Sequence, residues 1–136
     1  MSIELAYPQP YRDGDNAPFL DGWHDGKLLL QRNRQGGPLF FYPRPVCPFT
    51  GSDDLVWVEA SGRGVIVSFS IVHRPNHPAF NEEVPIILAE VQLEEGAGLL
   101  ARIVGCDVDS VKSGMKIKLL SSENARRYPL PTFELG

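Results

Sequence analysis

Cysteine is scarce in this sequence, since Cys47 and Cys106 are the only two among 136 residues. A tetrahedral structural zinc needs four thiolate or imidazole ligands, so two cysteines alone cannot form such a site. Two cysteines in a chain that we expect to be cytosolic are usually reduced rather than paired. We therefore expect neither a cysteine-only zinc site nor a disulfide.

Long apolar runs are also absent, because none approaches the roughly 20 residues that a membrane-spanning helix requires. The opening residues Met1 to Glu4 lack the basic-then-apolar arrangement of a secretory signal, which predicts a cytoplasmic protein with no membrane association. Hydrophobic residues nevertheless make up 43% of the sequence. This fraction is enough for a globular core, and the length fits one domain or a barrel with a small appendage.

The sequence has no excess of positive charge, because 13 Lys and Arg residues stand against 17 Asp and Glu residues and the formal net charge is -4. Proteins that bind nucleic acid mainly through its phosphates usually present a basic face. The acidic residues are dispersed in pairs such as Asp53-Asp54 and Glu94-Glu95, as is typical of solvated turns. The charge balance disfavours nucleic acid as the partner.

Recognisable catalytic motifs are missing: the sequence has no Gly-x-Ser-x-Gly elbow, no phosphate-binding loop and no dinucleotide fingerprint. His73 and His77 lie four residues apart, but Pro75 and Pro78 exclude the helix on which that spacing would bring both rings to a metal. A binding role for this proline-stiffened loop is the better interpretation. Cys106 is the one nucleophile worth considering, and a packed thiol is favoured over an activated one.

Local signals divide the chain into three predicted segments. Residues 1–26 form an arm rich in proline and aromatic residues, with a short helix that Asp15 or Asn16 caps and Gly26 ends. One face of that helix would carry Phe19, Leu20 and Trp23. Residues 27–54 contain two short strand candidates, 27–32 and 39–42, followed by a knuckle in which three prolines prevent regular structure.

Residues 55–136 have the alternation and β-branched composition of strands. The predicted strands are 55–60, 65–73, 84–93, 99–104 and 116–120, with a helical turn at 107–112 before the last. Five strands with one short helical element predict a mainly β fold that ends in a small, partly open barrel.

The segment from Asn33 to Ser52 has the layout of a zinc ribbon without its ligands. Asn33-x-x-Gly36 and Cys47-x-x-Thr50 occupy the places where a ribbon carries two Cys-x-x-Cys knuckles, and only Cys47 could bind the metal. We expect no zinc here, and we expect aromatic packing to form the core of this module instead. The aromatic residues concerned are Phe40, Phe41, Tyr42 and Phe49.

Five motifs follow one another along the chain from about Phe19 to Leu120. They are Tyr42-Pro43-Arg44-Pro45-Val46-Cys47-Pro48, the strand Ser61-Gly62-Arg63-Gly64-Val65-Ile66-Val67-Ser68-Phe69, the loop His73-Arg74-Pro75-x-His77-Pro78-Ala79-Phe80, Val104-Gly105-Cys106-Asp107, and Ser113-Gly114-Met115. In this order they resemble the marks of the family called domain of unknown function 35, which comprises OB-fold proteins associated with acyl-CoA enzymes.

The resemblance implies a helical arm, a rubredoxin-like zinc ribbon and a C-terminal five-stranded OB-fold barrel. It also implies a non-catalytic accessory subunit that binds acyl-CoA or scaffolds a partner, either a thiolase-like enzyme or a MaoC-like enoyl-CoA hydratase. The sequence departs from the family pattern at Asn33, Gly36 and Thr50, where cysteines would be expected. That departure places the zinc in doubt and leaves the barrel unaffected.

Candidate ligand-binding residues are the basic residues that could contact CoA phosphates, for which arginine is well suited, and the residues of the proline-rich loop. They are Arg63, His73, Arg74, His77, Phe80, Arg102, Arg126 and Arg127. Two alternatives remain open: an OB-fold that stacks nucleic-acid bases, with Phe69 as a platform, and a stand-alone enzyme with Cys106 as nucleophile. The aromatic residues Tyr7, Tyr11, Phe19 and Trp23 predict a docking surface, for which a homodimer is one explanation.

Overall fold

The computed structural model describes residues 9–75, 78–125 and 127–136. Its helices are α1 (Ala17–His24) and α2 (Ser122–Ala125), and single 3₁₀ turns lie at Pro78–Phe80 and Val108–Ser110. Its strands are β1 (Leu29–Asn33), β2 (Leu55–Glu59), β3 (Arg63–Val72), β4 (Ile86–Leu93), β5 (Gly98–Ile103), β6 (Lys116–Leu119) and β7 (Thr132–Leu135). The predicted mainly β fold class is confirmed. None of the helices in these ranges is long and apolar enough to cross a bilayer.

Strands β3 to β7 close into a five-stranded barrel in the order β3-β4-β5-β7-β6. β3, β4 and β5 form an antiparallel meander, β6 returns to pair with β3, and β7 lies between β5 and β6. The β5–β7 pairing is parallel and all the others are antiparallel. This is the predicted OB-fold barrel, and closure leaves it without an exposed sheet edge.

Strand β2 corrects the predicted strand order. It pairs with β1 over five residues, from Leu29↔Glu59 to Asn33↔Leu55, and is not part of the barrel. Residues 39–42, predicted as the second short strand of the small module, make only an isolated bridge between Gln31 and Phe40, because the flanking Pro38 and Pro43 lack the N–H groups that a longer ladder needs.

The fifth barrel strand is β7, which the sequence did not indicate. Its four residues, 132–135, are too few to display an alternating pattern, and they directly follow Pro129 and Pro131. The sequence analysis counted β2 as a barrel strand, and this was wrong. The alternation of β2 is a local pattern, which does not show which sheet the strand joins. The proposed division of the chain into segments 1–26, 27–54 and 55–136 remains a prediction.

Helix α1 is present as predicted, with Asn16 at its N-cap position and Asp25 after its last residue. Asn16 does not cap through its side chain, so that part of the prediction was wrong. Its amide oxygen instead accepts from the Asp13 N–H at 2.9 Å, and its amide nitrogen donates to the Tyr11 carbonyl at 2.7 Å. The turn before the helix therefore uses the side chain that would otherwise satisfy the first helical N–H groups.

The apolar face of α1 is buried in its own chain. Phe19 is 3% exposed and Trp23 is fully buried, whereas Tyr11 is exposed and Tyr7 lies outside the described residues. The prediction that Phe19 and Trp23 belong to an intermolecular docking surface is therefore wrong. The homodimer stays a prediction without their support.

One hydrophobic core connects the helix, the small β1–β2 sheet and the barrel. Phe19 and Leu30 belong to the same buried cluster as Ile66 and Ile103 of the barrel. A second, smaller cluster joins Trp23 to Leu120 and Ala125 near the end of the chain. Because these clusters cross the segments, α1 and the small sheet pack directly on the barrel.

Candidate functional site

An apolar groove with a volume of about 540 Å³ lies on the outer face of the barrel. Its floor comes from the ends of three neighbouring strands, and its walls come from the loop after β3 and the segment before β7. The floor residues are Val72, Ile86, Leu88, Leu100, Ala101 and Arg102, and the wall residues are Arg74, Pro75, Phe80 and the run from Tyr128 to Thr132.

Strand register explains why the floor is apolar. Ile86 and Leu88 are two residues apart on β4 and face outward, whereas Ile87 between them is 3% exposed and points into the core. Pairing brings Val72 of β3 opposite Ile86, and Arg102 of β5 opposite Leu88. Three adjacent strands thus present side chains to one external surface.

The two walls are the loops that OB-folds generally use for ligands. One connects the first and second barrel strands, and the other connects the fourth and fifth; together with the face of the second and third strands they form the usual binding surface of this fold. Here these are residues 73–85, residues 120–131 and strands β4 and β5. The position of the groove therefore agrees with the general ligand-binding geometry of the fold.

Arg102 joins both walls across the floor. Its Nη1 donates to Glu83 Oε1 at 2.9 Å in the first wall, and its guanidinium carbon lies 5.5 Å from the centre of the Tyr128 ring in the second. The two charged side chains are only 17% and 20% exposed, so solvent screens this pair less than a surface pair. The Nε of Arg102 is buried without a hydrogen-bond partner among the described residues.

The structure gathers some of the predicted ligand-binding residues and separates others. Arg74, Phe80 and Arg102 line the groove, and the guanidinium carbon of Arg127 lies 5.7 Å from the Tyr128 ring centre beside it. His73 is exposed and precedes the wall residue Arg74 without lining the groove. The binding roles of these residues remain predictions.

Arg63 lies at the opposite end of β3 from the groove. Its guanidinium makes two hydrogen bonds of 3.0 Å to the Glu94 carboxylate, an ion pair open to solvent. This arrangement raises the pKa of Arg63 and lowers the pKa of Glu94, because the charged forms hydrogen-bond to each other. His77 and Arg126, the remaining predicted residues, lie outside the described residues.

The apolar floor was not predicted from the sequence. The predicted site residues were chosen mainly for their charge or their nucleophilic side chains. The signal was present in the run Val84-Pro85-Ile86-Ile87-Leu88, where apolar residues occupy both faces of a strand. A barrel strand that faces solvent on one side normally alternates apolar and polar residues. A strand that is apolar on both sides indicates that its outer face is covered by a loop or a ligand.

The two thiols have different environments, and neither lines the groove. Burial, and secondarily the charge of Asp107, raises the pKa of Cys106. The pKa of the buried Cys47 is lowered, chiefly by a hydrogen bond from the Thr50 side chain and further by backbone hydrogen bonds from Phe49 and Thr50. The raised pKa of the partly buried Cys106 is opposite to the lowered pKa that activates a nucleophilic thiol.

Hydrogen bonds hold the two knuckles that occupy the places of zinc ligands in a ribbon. The Asn33 amide nitrogen donates to Thr50 Oγ1 at 3.2 Å, which links the two knuckles directly. The Gln31 side chain accepts from the Arg44 N–H at 2.9 Å and donates to the Arg44 carbonyl at 3.1 Å. With Cys47 as the single thiol in this donor set, the residues do not fit a tetrahedral zinc.

Aromatic packing contributes less to this module than predicted. Phe40 is buried and its ring lies 6.3 Å from that of Phe49, and Phe41 packs 5.1 Å from Phe19 of α1. Tyr42 and Phe49, however, are 56% and 61% exposed and so are not core residues. Among the described residues, no cluster of three or more metal-binding side chains occurs anywhere.

The closed barrel, the small sheet docked on it and the groove define an OB-fold protein with a groove on the face that this fold generally uses for ligands. Residues 57–120 match the family described as the C-terminal OB-fold domain of ChsH2. A DUF35 domain-containing scaffold protein of Pyrococcus furiosus is 34% identical over 93 residues, which cover 68% of each chain. The chain therefore belongs to the DUF35 family of OB-fold proteins.

Two further matches extend over nearly the whole chain. A probable enoyl-CoA hydratase alpha subunit of Thermomonospora curvata is 36% identical over 126 residues, which are 93% of this chain and 39% of that protein. A chain in the solved structure of an Ltp2–ChsH2(DUF35) aldolase is 34% identical, with a TM-score of 0.79 over 93% of this chain and 98% of that one. The chain thus spans about two fifths of the hydratase subunit and nearly all of the matched chain in the aldolase.

Proposed function

We propose that this protein is an accessory subunit that scaffolds an enzyme of acyl-CoA metabolism, with the catalytic groups supplied by the partner. The observation that carries the proposal is that this chain matches a scaffold protein over 68% of its length, and a segment of a hydratase alpha subunit and a chain of an aldolase structure over 93%. Each of those proteins is named as a scaffold or as part of a larger assembly. A cytoplasmic location is part of the proposal.

The partner in this proposal is a thiolase-like enzyme or a MaoC-like enoyl-CoA hydratase. The relative named as an enoyl-CoA hydratase alpha subunit favours the second class, because its name specifies that reaction. The partly buried environment of Cys106 raises its pKa, and this also favours a non-catalytic role, since a nucleophilic thiol is activated by a lowered pKa.

The proposed ligand is a CoA thioester that contacts this chain as well as the partner. Arg74 and Arg127 are exposed beside the groove and could form bidentate contacts with phosphate oxygens. Arg63 is a weaker candidate, because its guanidinium already pairs with Glu94 at the far end of β3. His77 and Arg126 remain proposed on the sequence alone.

Affinity capture from the native host tests this function. The full chain with a C-terminal tag is expected to co-purify a thiolase-like or hydratase-like protein, and the tag alone is not. The isolated chain should show no thioester cleavage or enoyl-CoA hydration, whereas the reconstituted pair should show one of these activities. Turnover by the isolated chain, or capture of neither enzyme class, would contradict the proposal.

The nucleic-acid alternative finds little support in the groove. Of the two cations in its lining, Arg102 is paired with Glu83, and the two aromatic residues of the lining, Phe80 and Tyr128, lie in the walls rather than on the strand face. Phe69 itself pairs with Ala89 of β4 and is not part of the groove. Titration with a labelled single strand at low salt checks this, because stacking with phosphate contacts should give saturable binding.

A further inference from the structure

We propose that the groove on this chain binds the apolar acyl group of the thioester, with the thioester carbonyl directed toward Arg74. The inference deepens the proposed function and rests on it. It assigns a ligand-binding role to apolar side chains of β4, β5 and the segment before β7. The residues that carry it are Leu88, Leu100, Tyr128 and Leu130 in the apolar surface and Arg74 at its margin.

Size and polarity both suit an acyl group. Ligand pockets of roughly 300–1,000 Å³ enclose small organic molecules, and this groove has a volume of about 540 Å³. Leu100 in its floor and Leu130 in its wall are 60% and 46% exposed, so they leave apolar area in contact with water. Covering this area with an apolar ligand is favourable, since water is released from both surfaces.

The charge distribution distinguishes the two ends of the ligand. The charge of Arg102 in the floor is balanced by Glu83, with 2.9 Å between Nη1 and Oε1. Arg74 is exposed, and within the described part of the chain it has no ion-pair partner. A ligand with an apolar body and an anionic or strongly polar end therefore matches the groove better than a neutral hydrocarbon does.

Hydrogen bonds and one cation–π contact hold the walls in place. Trp23 of α1 donates its indole N–H to the Tyr128 carbonyl at 2.8 Å, and Thr132 Oγ1 donates to the Leu130 carbonyl at 3.0 Å. The Arg102 side chain spans the groove from Glu83 to Tyr128. Because these contacts exist before any ligand arrives, less conformational entropy is lost on binding.

Isothermal titration calorimetry of the isolated full chain provides the test, with octanoyl-CoA, octanoate and CoA as probes. Octanoyl-CoA is expected to bind at least tenfold more tightly than CoA, because only the thioester carries the acyl group. Octanoate should bind measurably and compete with octanoyl-CoA. The octanoate titration distinguishes a site that binds acyl groups in general from a site that also requires the nucleotide portion of CoA.

Substitutions locate the site. Leu100→Gln should weaken octanoyl-CoA binding at least tenfold, whereas the matched control Val67→Gln, on the exposed outer side of β3 and outside the groove, should leave it unchanged. Leu130→Gln is a second groove variant should the first lower the melting temperature. Arg74→Gln should weaken octanoate binding several-fold, and Arg44→Gln in the small module should not.

The outcomes separate this inference from the proposed function. Equal affinity for CoA and octanoyl-CoA, no detectable binding of either, or equal effects of Leu100→Gln and Val67→Gln would overturn the inference. If the chain captures its partner enzyme but binds no acyl probe, the scaffold function stands and the groove assignment is wrong. If Leu100→Gln abolishes partner capture without altering octanoyl-CoA affinity, the groove holds a partner side chain instead, which also refutes the inference.

Discussion

At the scale of single residues, Gly64 lies at a close approach between β3 and β4. A methyl group placed on its Cα would lie 2.6 Å from the carbonyl oxygen of Gln92, closer than a carbon and an oxygen can pack. The obstacle is backbone rather than a flexible side chain, so the strands themselves would have to separate. Gly64 is the last residue of Ser61-Gly62-Arg63-Gly64 in the strand motif. The close backbone contact explains why glycine occupies that position.

Replacing Gly64 with alanine should therefore destabilise the protein. We expect Gly64→Ala to lower the free energy of unfolding by about 1–3 kcal/mol, in the range typical of overpacking. The measurement is chemical denaturation. The matched control is Gly98→Ala in β5, where the added carbon would lie 3.6 Å from the Val91 carbonyl oxygen and should fit. Equal effects of the two substitutions would contradict the clash.

The Cys106 thiol yields a prediction about pH. Burial raises its pKa, and the nearby negative charge of Asp107 raises it further, so the thiolate forms only at alkaline pH. Alkylation by iodoacetamide, followed at the Cys106 peptide by mass spectrometry, should be slow at pH 7 and accelerate above about pH 8.5, the ordinary value for a cysteine. A rate that has already reached its plateau at pH 8 would show an activated thiol.

At the scale of elements, the two loops that bound the groove depend on contacts with other parts of the chain. The loop after β3 is tied to β5 through Glu83 and Arg102, and the segment before β7 is tied to α1 through Trp23. The same guanidinium also lies against the Tyr128 ring. The groove is thus assembled by side chains from four different elements.

Breaking the ion pair should loosen the first wall. Glu83→Gln leaves a largely buried cation at Arg102 without its counter-charge, and we expect a loss of about 1–3 kcal/mol in unfolding free energy, less than for a fully buried pair because water still reaches it. Thermal and urea denaturation measure this loss. Glu94→Gln, which breaks the exposed pair with Arg63, is the control and should have no measurable effect.

Removing the indole N–H should loosen the second wall. Trp23→Phe retains an aromatic ring in the core but leaves the Tyr128 carbonyl without this donor, which costs about 1 kcal/mol for a typical hydrogen bond and adds a small cavity. Hydrogen exchange should become faster at residues 127–133 and unchanged in the β3–β4 ladder. Uniform acceleration throughout the barrel would indicate global destabilisation instead.

At the scale of the whole molecule, α1, the small sheet and the barrel share one apolar core, and the knuckles are joined by the Asn33–Thr50 hydrogen bond. The usual role of zinc in such a ribbon is to stabilise a module that is too small for its own core. Here the core of the barrel extends into the module through Leu28 and Leu30, both almost completely buried.

The stability of the protein should therefore be independent of zinc. Dialysis against EDTA is expected to leave the melting temperature and the far-ultraviolet circular dichroism unchanged. Adding zinc afterwards should have no effect, because Cys47 is the one thiol in the ribbon positions. A decrease in melting temperature on chelation that zinc reverses would refute this expectation.

The sequence by itself determined a good part of the architecture. The cores of β1, β3, β4, β5 and β6, together with α1, follow from local apolar patterns and turn residues, and the motifs placed the chain in its family. The charge balance and the loss of ribbon cysteines were also readable directly. These features depend on residues that are neighbours in the chain, so a linear pattern is sufficient to predict them.

Only the tertiary structure decided which strands pair and where a groove forms. β2 joins β1 across more than 20 residues, and β7 enters between β5 and β6, because pairing depends on distant partners rather than on local alternation. The groove likewise requires Leu88, Leu100 and Leu130 to meet on one surface. Folding brings together residues far apart in the chain, and for that reason the apolar site could not be located before the barrel was known.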